Sequence, residues 1–313
     1  MILCVGGTPA VQRTLLFDSL VVGGVNRAHK VYVTASGKVV NAARTITTLG
    51  GESLLVTFLG GDAGRFVSRT LDSEGVPHDP VRVEDDAPTR TCATLLEEDD
   101  PVTELVEEAP PVSENDVTAL EGVIEERLSE ARALCLIGSF PPGVPDDFYA
   151  RLVARAAEAD IPALVDAQKS LLLNSLAERP FLVKPNLDEA TAALSLSSGS
   201  DEQAGLDAVA ALVERRARWA LVTRGADGAL LGDESGGRWR IEPPRIRAVN
   251  PIGSGDTLAG GLLHALIGGA SVPEAAAFGS ACAAANALTP TSGVFEASEA
   301  QRLLPEVRLV QLA

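Results

Sequence analysis

The sequence predicts a three-layer α/β fold, with a mainly parallel sheet between two helical layers and a small additional β-sheet. Three observations predict it. Short apolar runs recur along the 313 residues, helical stretches separate them, and each run ends in a Gly-, Pro- or polar-rich turn. Strands that alternate with crossover helices indicate a parallel sheet, and in such sheets ligands sit outside the carboxyl ends of the strands.

Taken in order, "ILCVG" reads as a buried strand that empties into "GGTP". "SLLVTFLG", "RALCLIGS", "IPALVDA", "PFLVKPN" and "WALVTRG" read the same way, with turns such as "GSFPPG", "KPN" and "TRG" behind them. Helical periods fall at 41–49, 63–74, 115–129, 146–158 and 202–215. Two segments break the alternation. Residues 13–34 are β-prone about a central Gly-Gly, and residues 88–106 hold two β-prone runs about an acidic turn. They are expected to form a small sheet outside the main layers, a lid or a dimer surface, within one domain spanning 1–313. A surface hairpin extension is the plainer alternative.

Composition narrows the function. A net charge of −17 argues against nucleic acid, whose binding needs a basic face. Any anionic substrate must therefore be met by local basic groups. Four scattered cysteines show neither a disulfide framework nor zinc spacing. The N-terminus lacks the pattern of a signal peptide, and the Ala-rich stretch 275–288 is too short and broken to span a bilayer. A cytoplasmic protein with no membrane partner is expected.

The chemistry centres on "NPIGSGDTLAGG", residues 250–261. Gly253 and Gly255 about Ser254 permit close backbone approach, so successive amides point into one concavity. The helix that follows adds free N–H groups and the positive end of its dipole. Asp256, beside this anion site, is placed to take a proton from a hydroxyl. The set suits phosphoryl transfer to an alcohol; alone, it also reads as a tight turn and a helix cap. Company is present. In "VKPNLDEA", Lys184, Asn186 and Glu189 follow a strand; Asn186 and Glu189 suit a hydrated magnesium or a capping box. Thr223, Gly225 and Gly228 mark a strand-end turn that suits a nucleotide phosphate or ribose, or a plain hairpin. Gly37, Lys38 and Asn41 open another helix. No P-loop or dinucleotide fingerprint occurs.

With "FLGGDAG", "GSFPPGVP" and "SGKVVNAARTITTLGG", these motifs resemble the ribokinase-like, or PfkB, carbohydrate kinases, in the correct order over nearly the whole chain. "TPAVQRT", "GGVNR", "PTRT" and "KPN" resemble its phosphosugar branch. The resemblance implies ATP and magnesium, leaves a monovalent cation such as K+ open, and implies a lid that pairs across a homodimer. It makes Asp256 the base and Gly253, Ser254 and Gly255 the anion hole. Lys184, Asn186, Thr223, Gly225, Gly228 and Asn286 fall on the nucleotide side, with Glu189 and Asn186 toward the metal. Gln12, Arg27, Gly37, Lys38, Asn41, Arg90 and Ser139 fall on the acceptor side, where Arg90, aided by Lys38 and Arg27, would clamp a phosphate. The implied reaction is ATP-dependent phosphorylation of a ketohexose phosphate (fructose-1-phosphate, tagatose-6-phosphate or fructose-6-phosphate) to a bisphosphate. A kinase of an unphosphorylated sugar or nucleoside, and a non-catalytic sugar-phosphate-binding protein, are the alternatives. Three departures touch the acceptor end: Gln12 replaces the usual aspartate, Ser36-Gly37-Lys38-Val39 replaces "GGKG", and "VDAQKSL" replaces a Ser-Gly stretch.

Overall fold

The computed structural model describes residues 1–83, 87–97, 102–196 and 199–312. Its first strand, β1 (Ile2–Val5), is wholly buried and lies between later strands of the main sheet. Two strands, β2 (Ala10–Phe17) and β3 (Lys30–Ser36), leave that sheet before β4 (Ser53–Val56) returns to it. A short pair, β5 (Phe58–Leu59) and β6 (Val81–Arg82), precedes β7 (Arg90–Glu97) and β8 (Thr103–Val106). The remaining strands all join the main sheet: β9 (Ala133–Ile137), β10 (Ala163–Asp166), β11 (Leu182–Val183), β12 (Trp219–Thr223), β13 (Ala229–Asp233), β14 (Arg238–Glu242) and β15 (Arg308–Gln311).

Among the described residues the main sheet has the order β15-β14-β13-β12-β11-β10-β9-β1-β4. Strands β4 through β12 in that order are parallel, and β13 to β15 pair antiparallel at one edge. Strand order reverses at β1, which has its successor β4 on one side and β9 on the other. A crevice opens at such a switch point.

Alternate residues of the central strands feed two cores. Leu3, Val5, Leu134, Leu136, Val165 and Val183 face α3 (Glu114–Leu128), α4 (Phe148–Glu158), α5 (Lys169–Leu176), α6 (Leu187–Leu194) and α7 (Glu202–Glu214). Ile2, Cys4, Cys135, Ile137, Leu164 and Leu182 face the opposite layer. That layer holds α1 (Lys38–Thr48), α2 (Gly61–Glu74), α8 (Ser254–Ile267) and α9 (Val272–Ala287), with α10 (Ala297–Leu303) against α9. This is the three-layer arrangement expected from the sequence. The antiparallel edge is an addition to it.

The small sheet has the order β3-β2-β7-β8. It combines the two segments that broke the alternation; part of the acidic turn, residues 98–101, lies outside the described residues. In β2 and β7, Gln12, Thr14, Cys92 and Thr94 are buried, while Arg13, Val31, Val33 and Leu105 are exposed. Among the described residues no helix is long and apolar enough to cross a membrane.

Two helices far apart in the chain, α1 and α8, approach closely where Gly260 faces Ala42 and Thr45. A Cβ on Gly260 would lie 2.6 Å from the Ala42 carbonyl oxygen and 2.9 Å from Thr45 Cβ. Gly260→Ala is therefore expected to force the helices apart and cost about 1–3 kcal/mol, the usual range for overpacking. Calorimetric unfolding checks it, and an unchanged transition temperature would contradict the close approach.

Candidate active site

The carboxyl ends of β1, β9, β10, β11 and β12 converge on the N-termini of α1 and α8. Gly253 caps α8 in a left-handed conformation, φ 82°. A Cβ there would lie 2.8 Å from Ser292 Cβ, so the turn accepts only glycine. Asn286, fully buried in α9, holds the turn in place: its Nδ2 donates to the Ile252 carbonyl and to Ser254 Oγ, both at 3.0 Å. The Gly293 amide donates to Asn286 Oδ1 at 2.6 Å. The Asn286 side chain thus faces inward, tying residues 252–254 to the 291–293 loop.

The amides of this turn divide. Ser254 N–H donates to the Pro251 carbonyl at 3.1 Å, and Ser254 Oγ donates to the Ala283 carbonyl. Among the described residues, the N–H groups of Gly253, Gly255 and Asp256 have no protein acceptor. A Cβ on Gly255 would sit 3.5 Å from Lys184 Nζ, which brings an ammonium to the same cradle.

Asp256 is 7% exposed. One oxygen, Oδ2, accepts from Asn41 Nδ2 at 2.9 Å, and Oδ1 has no protein donor among the described residues. Burial, reinforced by nearby Asp166 and only partly offset by the Lys38 charge, pushes its pKa up to about 6.

The neighbouring charges form a chain. Lys184 Nζ pairs with Asp166 Oδ2 at 2.6 Å, and Lys38 Nζ bridges Asp166 Oδ1 and Glu189 Oε1, both at 3.3 Å. Burial works against the Asp166 anion, but Lys184 and Lys38 outweigh it and hold the carboxyl below its ordinary value. Burial works against the Lys38 cation too; Asp166, Asp256 and Glu189 outweigh it and keep the ammonium charged. Asp166 has no role in the sequence reading. Its signal is a lone acid at the end of the apolar run "ALVD", inside the "VDAQKSL" departure.

Asn186 and Glu189 form a reciprocal capping box at α6: Asn186 Oδ1 accepts from Glu189 N at 2.7 Å and Glu189 Oε2 from Asn186 N at 2.9 Å. Gln168 also donates to Glu189 Oε1. Thr223 bridges to Asn186, and its N–H donates to the Pro185 carbonyl, so the β11 and β12 loops lie side by side. Gly225 (φ 57°) and Gly228 (φ 82°) shape the second loop, and the space beside Gly225 is open.

On the acceptor side, Gly37 (φ 108°) caps α1 against the Thr8 carbonyl. Ser139 Oγ lies 3.1 Å from Thr8 Oγ1 across the switch point. Arg90 donates from Nη2 to the Thr8 carbonyl and from Nη1 to the Glu107 carbonyl, while its buried Nε has no partner. Gln12 Nε2 donates to Thr94 Oγ1 at 2.8 Å. Ser36 Oγ contacts Asn41 Oδ1 and Ser292 Oγ, and Val39 packs beneath Gly6. Arg27 is exposed in the β2–β3 connection, and no hydrogen bond or ion pair links it to this cluster.

A mainly parallel sheet with a switch-point crevice, an amide cradle at a helix N-terminus and a buried carboxyl beside it suits an α/β phosphotransferase. The sequence matches the description of the pfkB family carbohydrate kinases over residues 1–296, and the chain belongs to that family. It is an ATP-dependent carbohydrate kinase. Escherichia coli phosphofructokinase-2 in complex with substrates and products is similar, at 26% identity and TM-score 0.89, over 97% of this chain and 98% of that one. The same enzyme in complex with potassium gives 25% and 0.87 over the same shares. A Thermotoga maritima protein described as a possible 1-phosphofructokinase shares the fold, at 22% identity and TM-score 0.90, over 100% and 99% of the chains. Arabidopsis thaliana ribokinase complexed with ribose and ATP shares it at 20% and 0.76, over 97% and 98%.

If Asp256 must be ionised to act, turnover falls as pH drops through about 6. Lys38→Met removes a charge that lowers this value, so the acid limb of kcat/KM should move to higher pH. Stability has the opposite sense. The folded pKa exceeds the unfolded one of about 3.9, so the buried carboxylate destabilises the fold above pH 6. Asp256→Asn should raise the unfolding temperature at pH 8, by up to ~3 kcal/mol in stability, and not at pH 4. Equal shifts at both pH values would contradict the burial argument.

Proposed function

We propose that the chain transfers the γ-phosphoryl group of ATP to a hydroxyl of a phosphorylated ketohexose, giving a bisphosphate. The observation that carries the reading is the Asp256 carboxyl, buried with Oδ1 uncommitted, beside three unpaired amides at a helix N-terminus. The acceptor oxygen attacks the γ-phosphorus in line and its proton passes to Asp256 Oδ1. The bond to the β-phosphate oxygen breaks and ADP leaves. The amides of Gly253, Gly255 and Asp256, with Lys184 beside them, receive the charge on the moving group. The turn after β12 is assigned to the nucleotide. Asn286 acts in this scheme by shaping the cradle.

The donor set fits magnesium held through water and nucleotide phosphate. Both Glu189 oxygens and Asn186 Oδ1 already accept hydrogen bonds, and among the described residues no cluster of three metal-ligating side chains occurs. Magnesium keeps most of its waters in such sites. Asn186 and Glu189 would hold it from the second shell of ligands, and the ion would neutralise phosphate charge when bound. The potassium complex of the E. coli relative makes a monovalent cation part of the same proposal.

A phosphorylated acceptor is supported by Arg90, whose buried Nε lacks a partner, and by Lys38 at the switch point. It is supported also by the relative that is a phosphofructokinase. The small sheet is proposed to cover the cleft and pair with a second copy through its outward side, where Val31, Val33 and Leu105 are 42, 41 and 56% exposed.

Asp256→Asn is expected to lower turnover about 10²–10⁴-fold, and undiminished turnover rejects the assignment. ATP consumption with fructose-1-phosphate, fructose-6-phosphate, tagatose-6-phosphate and free hexoses identifies the acceptor. Arg90→Ala should raise KM for the phosphosugar about 10- to 100-fold, the scale of a charge-assisted contact, and leave that for a free hexose unmoved. Sedimentation of Val33→Glu should show a monomer where the parent is a dimer.

A further inference from the structure

We propose that Arg44 is a positioning residue for Asp256, holding the Asn41 carboxamide so that its NH₂ group faces the carboxylate. The proposal rests on Asp256 acting as the base.

Arg44 sits on α1 one turn beyond Asn41 and is 3% exposed. Three of its donors are anchored elsewhere. Nε and Nη2 both meet Glu74 Oε2 at 2.8 Å, in the last turn of α2, and Nη2 also donates to the Ala35 carbonyl at 2.8 Å. The planar guanidinium is thereby fixed, and its remaining Nη1 reaches Asn41 Oδ1 at 3.4 Å. Ser36 Oγ donates to the same oxygen at 3.2 Å.

A carboxamide accepts through oxygen and donates through nitrogen. Two donors on Oδ1 leave the nitrogen on the far side, where Nδ2 donates to Asp256 Oδ2 at 2.9 Å. With those donors gone the amide is free to turn and present Oδ1 to the carboxyl. An acceptor facing a carboxylate is repelled, whereas facing a protonated acid it receives a hydrogen bond. Arg44 therefore keeps Asn41 in the orientation that favours the ionised base. The other charged groups acting on Asp256 are Lys38 from α1, Asp166 from the end of β10 and Lys184 from beyond β11. None of them touches Arg44. On α8 itself, His264 lies toward the opposite end.

Asp256 titration is followed by ¹³C NMR of Asp-labelled protein, which needs no acceptor. The pH dependence of kcat/KM is measured with fructose-1-phosphate or fructose-6-phosphate, whichever is turned over. Arg44→Met is expected to raise the Asp256 pKa by about one unit, so that a larger fraction of turnover is lost at pH 6 than at pH 8.5. Arg44→Lys should fall between it and the parent. In an Asn41→Ala background the Arg44 substitution should move the titration no further, which a general loosening of the fold would not reproduce. Should Arg44→Met fail to fold, Ser36→Ala tests the same oxygen and is expected to shift the titration the same way by less. An unmoved titration in the folded variants, or an equal shift with and without Asn41, overturns the proposal. Full turnover by Asp256→Asn would instead remove the base assignment on which it rests.

Discussion

Two ammonium groups face three carboxyls beneath the carboxyl edge of the sheet, and the site depends on that imbalance. Lys184 pairs with Asp166 and Lys38 with Asp166 and Glu189, so neither ammonium makes a direct ion pair with Asp256. Burial disfavours its anion, one neutral amide and the charge of the two lysines offset this only in part, and the carboxyl holds its proton more tightly than an exposed acid. On the proposed reading, a base in this state accepts the alcohol's proton as the bond to phosphorus forms and is still ionised at neutral pH, as general-base catalysis requires. Removing Asp166 would free a cation and weaken the base. A further acid beside Lys38 would leave Asp256 protonated.

That balance is set by chain segments far apart in sequence. Lys38 and Asn41 come from α1, Asp166 from β10, Lys184 from just beyond β11 and Asp256 from α8. Gly260 lets α1 and α8 touch backbone to side chain, and Asn286 fixes the turn so that its amides face outward unpaired. The first N–H groups of a helix have no partner within it, and at a part-exposed turn such as this they are open to an anion. Here a side chain takes up the turn's carbonyl at Ile252 and leaves the donors free.

Much of this was legible because buried parallel strands are short apolar runs that end in turn residues. The six runs chosen on that ground all enter the main sheet, although "SLLVTFLG" divides into two strands at Thr57. The antiparallel edge was not legible. "RWRIE" in β14 has no apolar run; it alternates polar and apolar residues, but over only five positions and with no crossover helix before it. Within the site, Gly253 and Asp256 announced themselves by spacing, whereas Asp166 did not. A single acid closing a strand has no local pattern, and only its tertiary pairing with Lys38 and Lys184 gives it meaning. The Ser254 amide shows a further limit: a tight turn uses one of its own N–H groups to close on Pro251, and sequence does not say which.

The departures at the acceptor end follow the same electrostatic logic. An aspartate at position 12 would put a second carboxyl beside Thr94, near Glu104, whose burial already pushes its pKa up. Gln12 instead donates to Thr94, whose hydroxyl donates on to Glu104 Oε1, so the polar chain on that face ends on one acid. An incoming anion is repelled less by an amide than by a carboxylate, and in a chain of net charge −17 that difference matters most where no lysine stands nearby. On the proposed reading, the exchange trades a two-hydroxyl acceptor for a weaker field. It suits an acceptor that already carries a phosphate and is held chiefly through it at Arg90.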